Sequence, residues 1–349
     1  MEHVWWMQIT NAHRFIEKII EALLEEKSLI LSAARHLPWR ETVKHLVEEG
    51  AGAANCNRAF RFVAAEEVPK GDLGEYLLRR FCKPELQAKF RPGRGGYAKF
   101  LADVEGCTLA DAYVWLSPST PQQVKQWVDF IGDYHSALGK RLGGVFILDV
   151  PDGVEAVGKK GIRSLSYEAE VGTYDCFVFN MLLASEQKGD PYSQQYLAEL
   201  VSHIVEDDIE LSAECVKRGE AFVSDPYNVY VAEAEALGVK PKSAYEVEQC
   251  VWVTQIKLVF PLIEEYRRRF VRKRENYIKG SLPVESNGYW IKDPKEAEIG
   301  VLHYLASKDQ WLLTPKEWED LQSYHSARNS LAHMHVLSVE QLKKIFQNA

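Results

Sequence analysis

The pattern of hydrophobic residues changes near residue 173, and this change constrains the fold more than any other feature of the chain. Before it, short runs rich in β-branched and aromatic residues alternate with stretches in which apolar residues recur at helical spacing. The predicted strands are VWWMQI, SLILSA, RAFRFVAA, YVWLSP and GGVFILDV, with a last strand within IRSLSYEAEVGTYDCFVFNMLLAS. Strands separated by helices favour a partly parallel sheet, so residues 1–172 are predicted to form an α/β domain with flanking helices.

Residues 173–349 are predicted to form an all-α domain, because the strand signal fades and helical periodicity takes over. The longest pattern is VWVTQIKLVFPLIEEYRRRFVRKRENYIK, which starts at Val251. Its apolar positions follow at alternating steps of four and three, as one helix stripe requires: Trp252, Ile256, Val259, Ile263, Tyr266 and Phe270. Pro261 is expected to kink this helix, because it removes a backbone donor.

Two later helices are predicted from their starts. Asp293 is followed by Pro294 and Glu296, and Thr314 by a proline and a glutamate at the same spacing. This order matches an N-cap residue, a first-turn proline and a capping box. The stretch GSLPVESNGYWIKD between the long helix and these starts is rich in turn residues and is predicted to be a loop.

Composition limits the class of protein. The 349 residues are 46% hydrophobic and 26% charged, and no apolar run is long enough to span a membrane. The first residues lack a basic segment followed by a long apolar one, so we expect no secretory signal and a cytoplasmic location. The six cysteines are scattered without a CxxC or Cys/His cluster, so neither a zinc site nor a disulfide framework is predicted.

The formal net charge of −8 disfavours nonspecific binding of nucleic acid, so an RNA partner would need a local basic patch. One such run lies on the long predicted helix between Glu264 and Lys279. Its basic residues could track a phosphate backbone, and the alternative is a solvated helix face. The candidate RNA-binding residues are Arg267, Arg268, Arg269, Arg272, Lys273 and Arg274.

Phosphate-binding signals in the first half are incomplete. Asp149 ends an apolar predicted strand, which is also the position of the acidic residue that orients magnesium in nucleotide hydrolases. The phosphate-binding motif GxxxxGK[ST] of those enzymes does not occur in this sequence. The glycine-rich loop FRPGRGGYAKF, with Gly93, Gly95 and Gly96 beside Arg91 and Arg94, could approach a phosphate or could be a surface loop. The first domain therefore resembles a P-loop-like nucleotide-hydrolase domain without its phosphate loop, for which a sensor or docking role is expected.

The segment SARNSLAHMH carries the strongest chemical signal. On a helix, Asn329 and His333 are four residues apart and share a face, and Arg328 flanks that face. A permanent cation, an amide and an imidazole are the groups that cleavage of RNA without a metal requires. His333 would transfer protons, Arg328 would stabilise charge on the phosphorane, and Asn329 would hold the phosphate or the imidazole.

The residues RNSLAH resemble the RNxxxH signature of the HEPN superfamily, a set of small helical bundles that includes many RNases of toxin, antiviral and CRISPR systems. The resemblance implies an endoribonuclease that needs no metal or cofactor and whose two motif copies face each other across a homodimer. It assigns Arg328, Asn329 and His333, and His335 also falls within the looser family spacing. RETVKH places Arg40 and His45 at the loose spacing too, but lacks the Asn.

Three hypotheses follow from these patterns. The favoured one is an RNase effector of a toxin or antiviral system, which a regulatory partner would restrain. The ribose 2′-OH would attack the adjacent phosphate and leave a 2′,3′-cyclic phosphate. The second is a noncatalytic subunit that binds protein or nucleic acid and uses its helical bundle for dimerisation or docking. The third makes the α/β half a true NTPase with an unusual phosphate loop and Asp149 as its metal-orienting residue.

Overall fold

The computed structural model describes residues 1–68, 72–286 and 288–348 and divides the chain into two compact units, Met1–Asp175 and Cys176–Ala349. The change of pattern that we predicted at residue 173 lies beside this division. The first unit contains the elements α1 (Glu2–Gln8), α2 (Thr10–Leu24), β1 (Ser28–Ser32), α3 (Arg40–Ala54), β2 (Ala59–Ala64), α4 (Leu73–Phe81), α5 (Pro84–Gln87), α6 (Gly96–Asp103), β3 (Ala112–Ser117), α7 (Pro121–Leu138), β4 (Val145–Asp149), β5 (Ile162–Ser166) and α8 (Tyr167–Glu170).

The five strands form one parallel sheet in the order β2-β3-β4-β1-β5. Leu29 of β1 pairs with Ile147 of β4, and Tyr113 of β3 pairs with Val145 of β4. Helices separate the successive strands up to β4, as parallel pairing generally requires. The prediction of an α/β domain followed by helices is confirmed, and the described sheet is parallel throughout.

The core of this unit lies against the central strands. Every residue of β4 is buried, and Phe146 and Leu148 pack with Val114 of β3 and with Trp127 and Ile131 of α7. A strand covered on both faces gives the continuous apolar run seen in its sequence. Because β4 and β1 are adjacent and parallel, their carboxyl ends lie at the same edge of the sheet.

The prediction that VWWMQI forms the first strand is wrong, because residues 4–8 belong to helix α1 and Ile9 is the residue that ends it. Trp5 and Trp6 are fully buried, and the Trp6 ring lies 6.2 Å from the Phe15 ring and 6.1 Å from the Tyr167 ring. The periodicity of a short run of large apolar residues does not distinguish a strand from a helix. Here the helix is favoured because it lets the Trp6 ring pack against Phe15 of α2.

The described residues of the second unit form helices, one antiparallel hairpin and their connections. Its elements are α9 (Thr173–Ser185), which spans the boundary, α10 (Pro191–Val205), α11 (Ile209–Lys217), α12 (Glu220–Ser224), α13 (Pro226–Ala236), α14 (Ala244–Ser281), β6 (Val284–Ser286), β7 (Tyr289–Ile291), α15 (Ile299–Lys308), α16 (Pro315–Ala332) and α17 (Val339–Gln347). Strands β6 and β7 pair antiparallel within the stretch predicted as a loop, which corrects that prediction. Asn287 in this stretch lies outside the described residues.

Helix α14 contains the predicted stripe, with Val259, Ile263 and Phe270 buried. The helix passes through Pro261, and the described residue with non-helical backbone angles is Arg274, with φ −114° and ψ 19°. The departure from helical geometry is therefore thirteen residues beyond the position that we expected. The departure coincides with the ion pair between Arg274 and Glu317 of α16, and not with Pro261, which lacks a backbone donor.

Candidate functional site

Helix α16, which carries Arg328 and Asn329, begins as its sequence predicts. The Thr314 hydroxyl accepts a hydrogen bond from the Glu317 backbone N–H (3.2 Å), and the Glu317 carboxylate accepts one from the Thr314 N–H (2.8 Å). This capping box fixes the helix start. We also predicted a helix start at Asp293. The structure has only a short 3₁₀ turn there, Pro294–Glu296, and α15 begins later, at Ile299.

The end of α16 differs from the prediction. The helix stops at Ala332, so His333 is its C-cap residue, with φ −100° and ψ 19°. The backbone N–H of His333 still donates to the Asn329 carbonyl at 3.1 Å. The His333 side chain is exposed, as is that of His335. Neither ring has a hydrogen-bond partner among residues 1–68, 72–286 and 288–348.

Arg328 and Asn329 are in contact and accessible. Nη2 of Arg328 donates to Glu298 Oε2 (3.1 Å), just before the first turn of α15, and Nη1 donates to Asn329 Oδ1 (3.4 Å). The Arg328 side chain is 38% exposed. The structure thus brings two of the three predicted catalytic residues together and leaves the imidazole of His333 unbonded to either of them.

The imidazole that does contact this pair belongs to His325, which the sequence reasoning missed. Asn329 Nδ2 lies 3.0 Å from His325 Nε2. The His325 ring stacks on that of His303 from α15, with centroids 4.4 Å apart, and His303 stacks in turn on Trp318 at 5.0 Å. A signal was present, because His325 precedes Asn329 by the same four residues that separate Asn329 from His333.

Both stacked imidazoles are held towards the neutral form. Burial lowers the pKa of His303, whose Nε2 is buried without a hydrogen-bond partner in the described part of the chain. Burial also lowers the pKa of His325, and the neighbouring His303 and Arg328 lower it further. A neutral imidazole can accept a proton, which is the first task of a general base.

The basic run on α14 is not a uniform patch. Arg274 and Lys273 pair with Glu317 at 2.6 and 2.8 Å. Arg267 pairs with Glu264 at 2.8 Å and donates to backbone carbonyls before α15, and Arg269 donates to the Asn348 carbonyl at 3.3 Å. These four side chains hold the helices together in the structure.

Arg268 and Arg272 are different. They lie one helical turn apart on α14 and both are exposed. Neither has a hydrogen-bond or ion-pair partner in the described ranges. Of the six predicted RNA-binding residues, these two are the ones whose charge no other described residue engages.

In the α/β unit, Asp149 ends β4, is 3% exposed and accepts a hydrogen bond from Trp115 Nε1 at 3.1 Å. Arg40, at the first residue of α3, pairs with both Asp149 and Asp152. Burial raises the pKa of Asp149, and Arg40 opposes that rise. Asp149, the predicted metal-orienting residue, is thus paired with Arg40 of the same chain. Arg40 is also the arginine of the RETVKH segment, so its guanidinium is already engaged.

The glycine-rich loop forms a 3₁₀ turn and then α6. Gly95 and Gly96 adopt φ values of +100° and +75°, which explains the glycines there without a ligand. Arg91 donates to the carbonyls of Ala88 and Phe90, both at 2.8 Å. Arg94 is exposed, and a side chain added at Gly93 would meet open space.

No protein-family model matches the sequence, and no curated protein matches it. Among solved structures, the chain is similar to the ORC2 protein of Aeropyrum pernix in its ADP form. The two chains share 14% sequence identity over 95% of this chain and 91% of the other, with a TM-score of 0.34. A TM-score this low carries no argument about fold or function.

Two further findings concern the described residues alone. Within residues 1–68, 72–286 and 288–348, no helix combines the length and apolar character needed to cross a bilayer. In the same ranges, no three His, Cys, Asp or Glu side chains converge as a metal site.

Proposed function

We propose that the helical unit is an endoribonuclease site that cleaves RNA by attack of the ribose 2′-OH on the adjacent phosphate, without a metal ion. The observation that supports this most is the continuous chain of contacts from Arg328 to Asn329 to an imidazole on an accessible face of α15 and α16. A cation, an amide and a proton-transfer group are then within reach of one phosphate.

Each group has a distinct task in this reaction. The Arg328 guanidinium stabilises the charge that develops on the phosphorane, because it remains protonated at all working pH values. Asn329 positions the imidazole or the phosphate. The resemblance to HEPN proteins assigns proton transfer to His333, with His335 as a substitute, and the structure additionally offers His325.

The α14 helix supplies the RNA-binding surface of the proposal. Arg268 and Arg272 are free to bind phosphates, whereas Arg267, Arg269, Lys273 and Arg274 would have to exchange intramolecular partners for RNA. Release of counterions from RNA would provide the binding energy, so binding should weaken as salt rises.

The resemblance also supports proposals about biology and assembly. A homodimer would bring two copies of the motif together, and a regulatory protein would restrain an RNase that is toxic when free. The effector would then serve a toxin or antiviral system, with the α/β unit as its sensing or docking part.

The proposal is tested by incubating labelled tRNA and single-stranded RNA with the full chain in EDTA. Arg328→Ala and Asn329→Ala should each lower the cleavage rate at least about 100-fold, the range expected for loss of electrostatic or proton-transfer groups. Arg94→Ala, which removes an exposed arginine from the other unit, is the matched control and should cut at the wild-type rate. Equal rates for the wild type and Arg328→Ala would count against the proposal.

One observation favours the second candidate function, a noncatalytic docking subunit. The β6–β7 hairpin exposes Tyr289 and Trp290 by 78% and 60%, and exposed aromatic residues are enriched at protein interfaces. Docking predicts partner binding that survives Arg328→Ala and is lost in a Tyr289→Ser/Trp290→Ser variant. The RNase proposal predicts that this hairpin variant still cuts RNA.

A further inference from the structure

Four side chains form a continuous ladder on the face shared by α15 and α16. The Trp318 ring stacks on His303, with an interplanar angle of 24°, and His303 stacks on His325 at 22°. The ladder ends at Asn329, whose amide reaches Nε2 of His325. Such near-parallel stacking restricts the rotation of both imidazoles, which prepares a group for catalysis at low entropic cost.

The contacts also determine which nitrogen of His325 carries the proton. The guanidinium of Arg328 can only donate, so the Asn329 atom that it contacts must be the carbonyl oxygen. The Asn329 nitrogen then faces His325 and donates to Nε2. A neutral His325 therefore carries its proton on Nδ1, and no described residue bonds that atom.

Space is available beside the same ring. Gly300 on α15 packs against His325, and a Cβ atom added at Gly300 would lie 3.6 Å from Nε2 and 3.8 Å from Cδ2. An alanine would thus make ordinary contact, and a larger side chain would cover the ring. The glycine leaves this edge of the imidazole uncovered, as a ring that meets a substrate requires.

We infer that His325, stacked on His303 and oriented by Asn329, is the imidazole that transfers the proton in the proposed cleavage of RNA. This inference rests on the proposed function and assigns its proton-transfer group to a residue outside the RNxxxH motif. His303 does not touch the reacting atoms and acts as a positioning residue. The motif histidine, His333, lies beyond the last helical residue, and its ring makes no hydrogen bond with Arg328 or Asn329.

The reaction balances with this single imidazole. The 2′-OH takes the place of the Asn329 amide at Nε2 of His325 and gives its proton to that nitrogen. The bond from O2′ to phosphorus forms, and the bond from phosphorus to O5′ breaks. The imidazolium then returns the proton to O5′. The products are a 2′,3′-cyclic phosphate and a 5′-hydroxyl, and no co-reactant is consumed.

The matched variants His325→Gln and His333→Gln test the assignment in the full chain, with single-stranded RNA in EDTA. Glutamine retains a polar group of similar size but cannot transfer protons at neutral pH. We expect His325→Gln to lose about 100-fold or more of the cleavage rate, and a larger share of that rate than His333→Gln loses. A His325→Gln variant that cuts like the wild type would overturn the inference and leave the proposed function intact.

Two further measurements distinguish loss of proton transfer from loss of folding in these variants. In His325→Ala, added imidazole should restore part of the cleavage, because the free base can occupy the space of the missing ring. His303→Gln should shift the pH at which the cleavage rate is half-maximal, which a merely structural role would not do. Absence of both rescue and pH shift would overturn the inference, whereas a wild type that neither binds nor cuts RNA would overturn the proposed function together with it.

Discussion

At the scale of single residues, the stacked histidines affect stability as well as chemistry. The pKa of each ring is lowered, chiefly by burial. Because an unfolded chain holds its histidines near their ordinary pKa of about 6.5, the unfolded state binds more protons in mildly acidic solution. The stabilising contribution of neutral His303 and His325 is therefore fully present above that pH and is lost as the pH falls towards the folded-state pKa values.

We predict that the free energy of unfolding of the wild type decreases between about pH 7.5 and pH 5.5. A His303→Gln/His325→Gln variant should show a smaller decrease, because glutamine does not titrate. Urea denaturation at both pH values measures this difference. His203 and His135 also have lowered pKa values through burial, so they remain as a common background in both proteins. Equal pH dependence in the two proteins would contradict the prediction.

A second prediction at this scale concerns the buried carboxylate of the α/β unit. Arg40→Ala leaves Asp149 buried without its cation and should destabilise the protein by about 3 to 5 kcal/mol. Asp149→Asn should cost less than half as much, because a neutral amide is cheaper to bury. Thermal unfolding of both variants, with exposed Arg94→Ala as the control, compares them. A larger loss in Asp149→Asn than in Arg40→Ala would refute this account of the pair.

At the scale of elements, Glu317 connects two helices. Its carboxylate completes the capping box of α16 and also binds Arg274 on α14 at the point where α14 departs from helical geometry. Arg274, followed by Lys273 and the cap, holds the pKa of Glu317 well below its usual range. The stability that this carboxylate provides is present above the ordinary glutamate pKa of about 4.3 and is lost as the pH falls through the lowered value.

We predict that Glu317→Ala destabilises the helical unit by about 1 to 3 kcal/mol, the combined range for removing a cap and charge-assisted hydrogen bonds. Hydrogen exchange should speed up in the first turn of α16 and around Arg274. Glu317→Gln should retain part of the capping and lose less. Unchanged exchange at both places in Glu317→Ala would show that Glu317 does not couple the helices.

The basic helix gives a prediction of its own. Arg268→Ala/Arg272→Ala should weaken binding of single-stranded RNA and reduce the slope of log affinity against log salt by about 1.4, at about 0.7 for each phosphate that is no longer neutralised. Arg94→Ala/Lys140→Ala removes the same charge from exposed positions of the α/β unit and should leave the slope unchanged. Fluorescence anisotropy with labelled RNA at several salt concentrations measures both. Equal slopes in all three proteins would exclude α14 as the RNA-binding surface.

The sequence predicted those elements whose signals are local. The capping box at Thr314 and the apolar strand ending at Asp149 lie where expected, because cap chemistry and continuous burial are written in adjacent residues. The aromatic run at Trp5 is a helix, since packing against distant rings decides its structure. His303 reaches the candidate site from another helix, and no spacing along the chain reports such a contact.

At the scale of the whole molecule, the chain joins an α/β unit to a helical unit. Each unit contains a cluster of groups typical of phosphate chemistry, and the two clusters differ in one respect. In the α/β unit, Arg40 already pairs with the acidic residues at the end of β4. In the helical unit, Arg328 pairs with Glu298 but stays accessible, and burial lowers the pKa of His325 nearby. The helical unit is therefore the place where we expect reaction.

The most direct test of this account is the chemistry of the RNA ends that the wild-type chain produces in EDTA, analysed by mass spectrometry. The account predicts a 2′,3′-cyclic phosphate on one fragment and a 5′-hydroxyl on the other, with no cleavage where the ribose is replaced by 2′-deoxyribose. Fragments with 5′-phosphates, or cleavage that persists at the deoxyribose, would contradict attack by the 2′-OH and with it the proposed function.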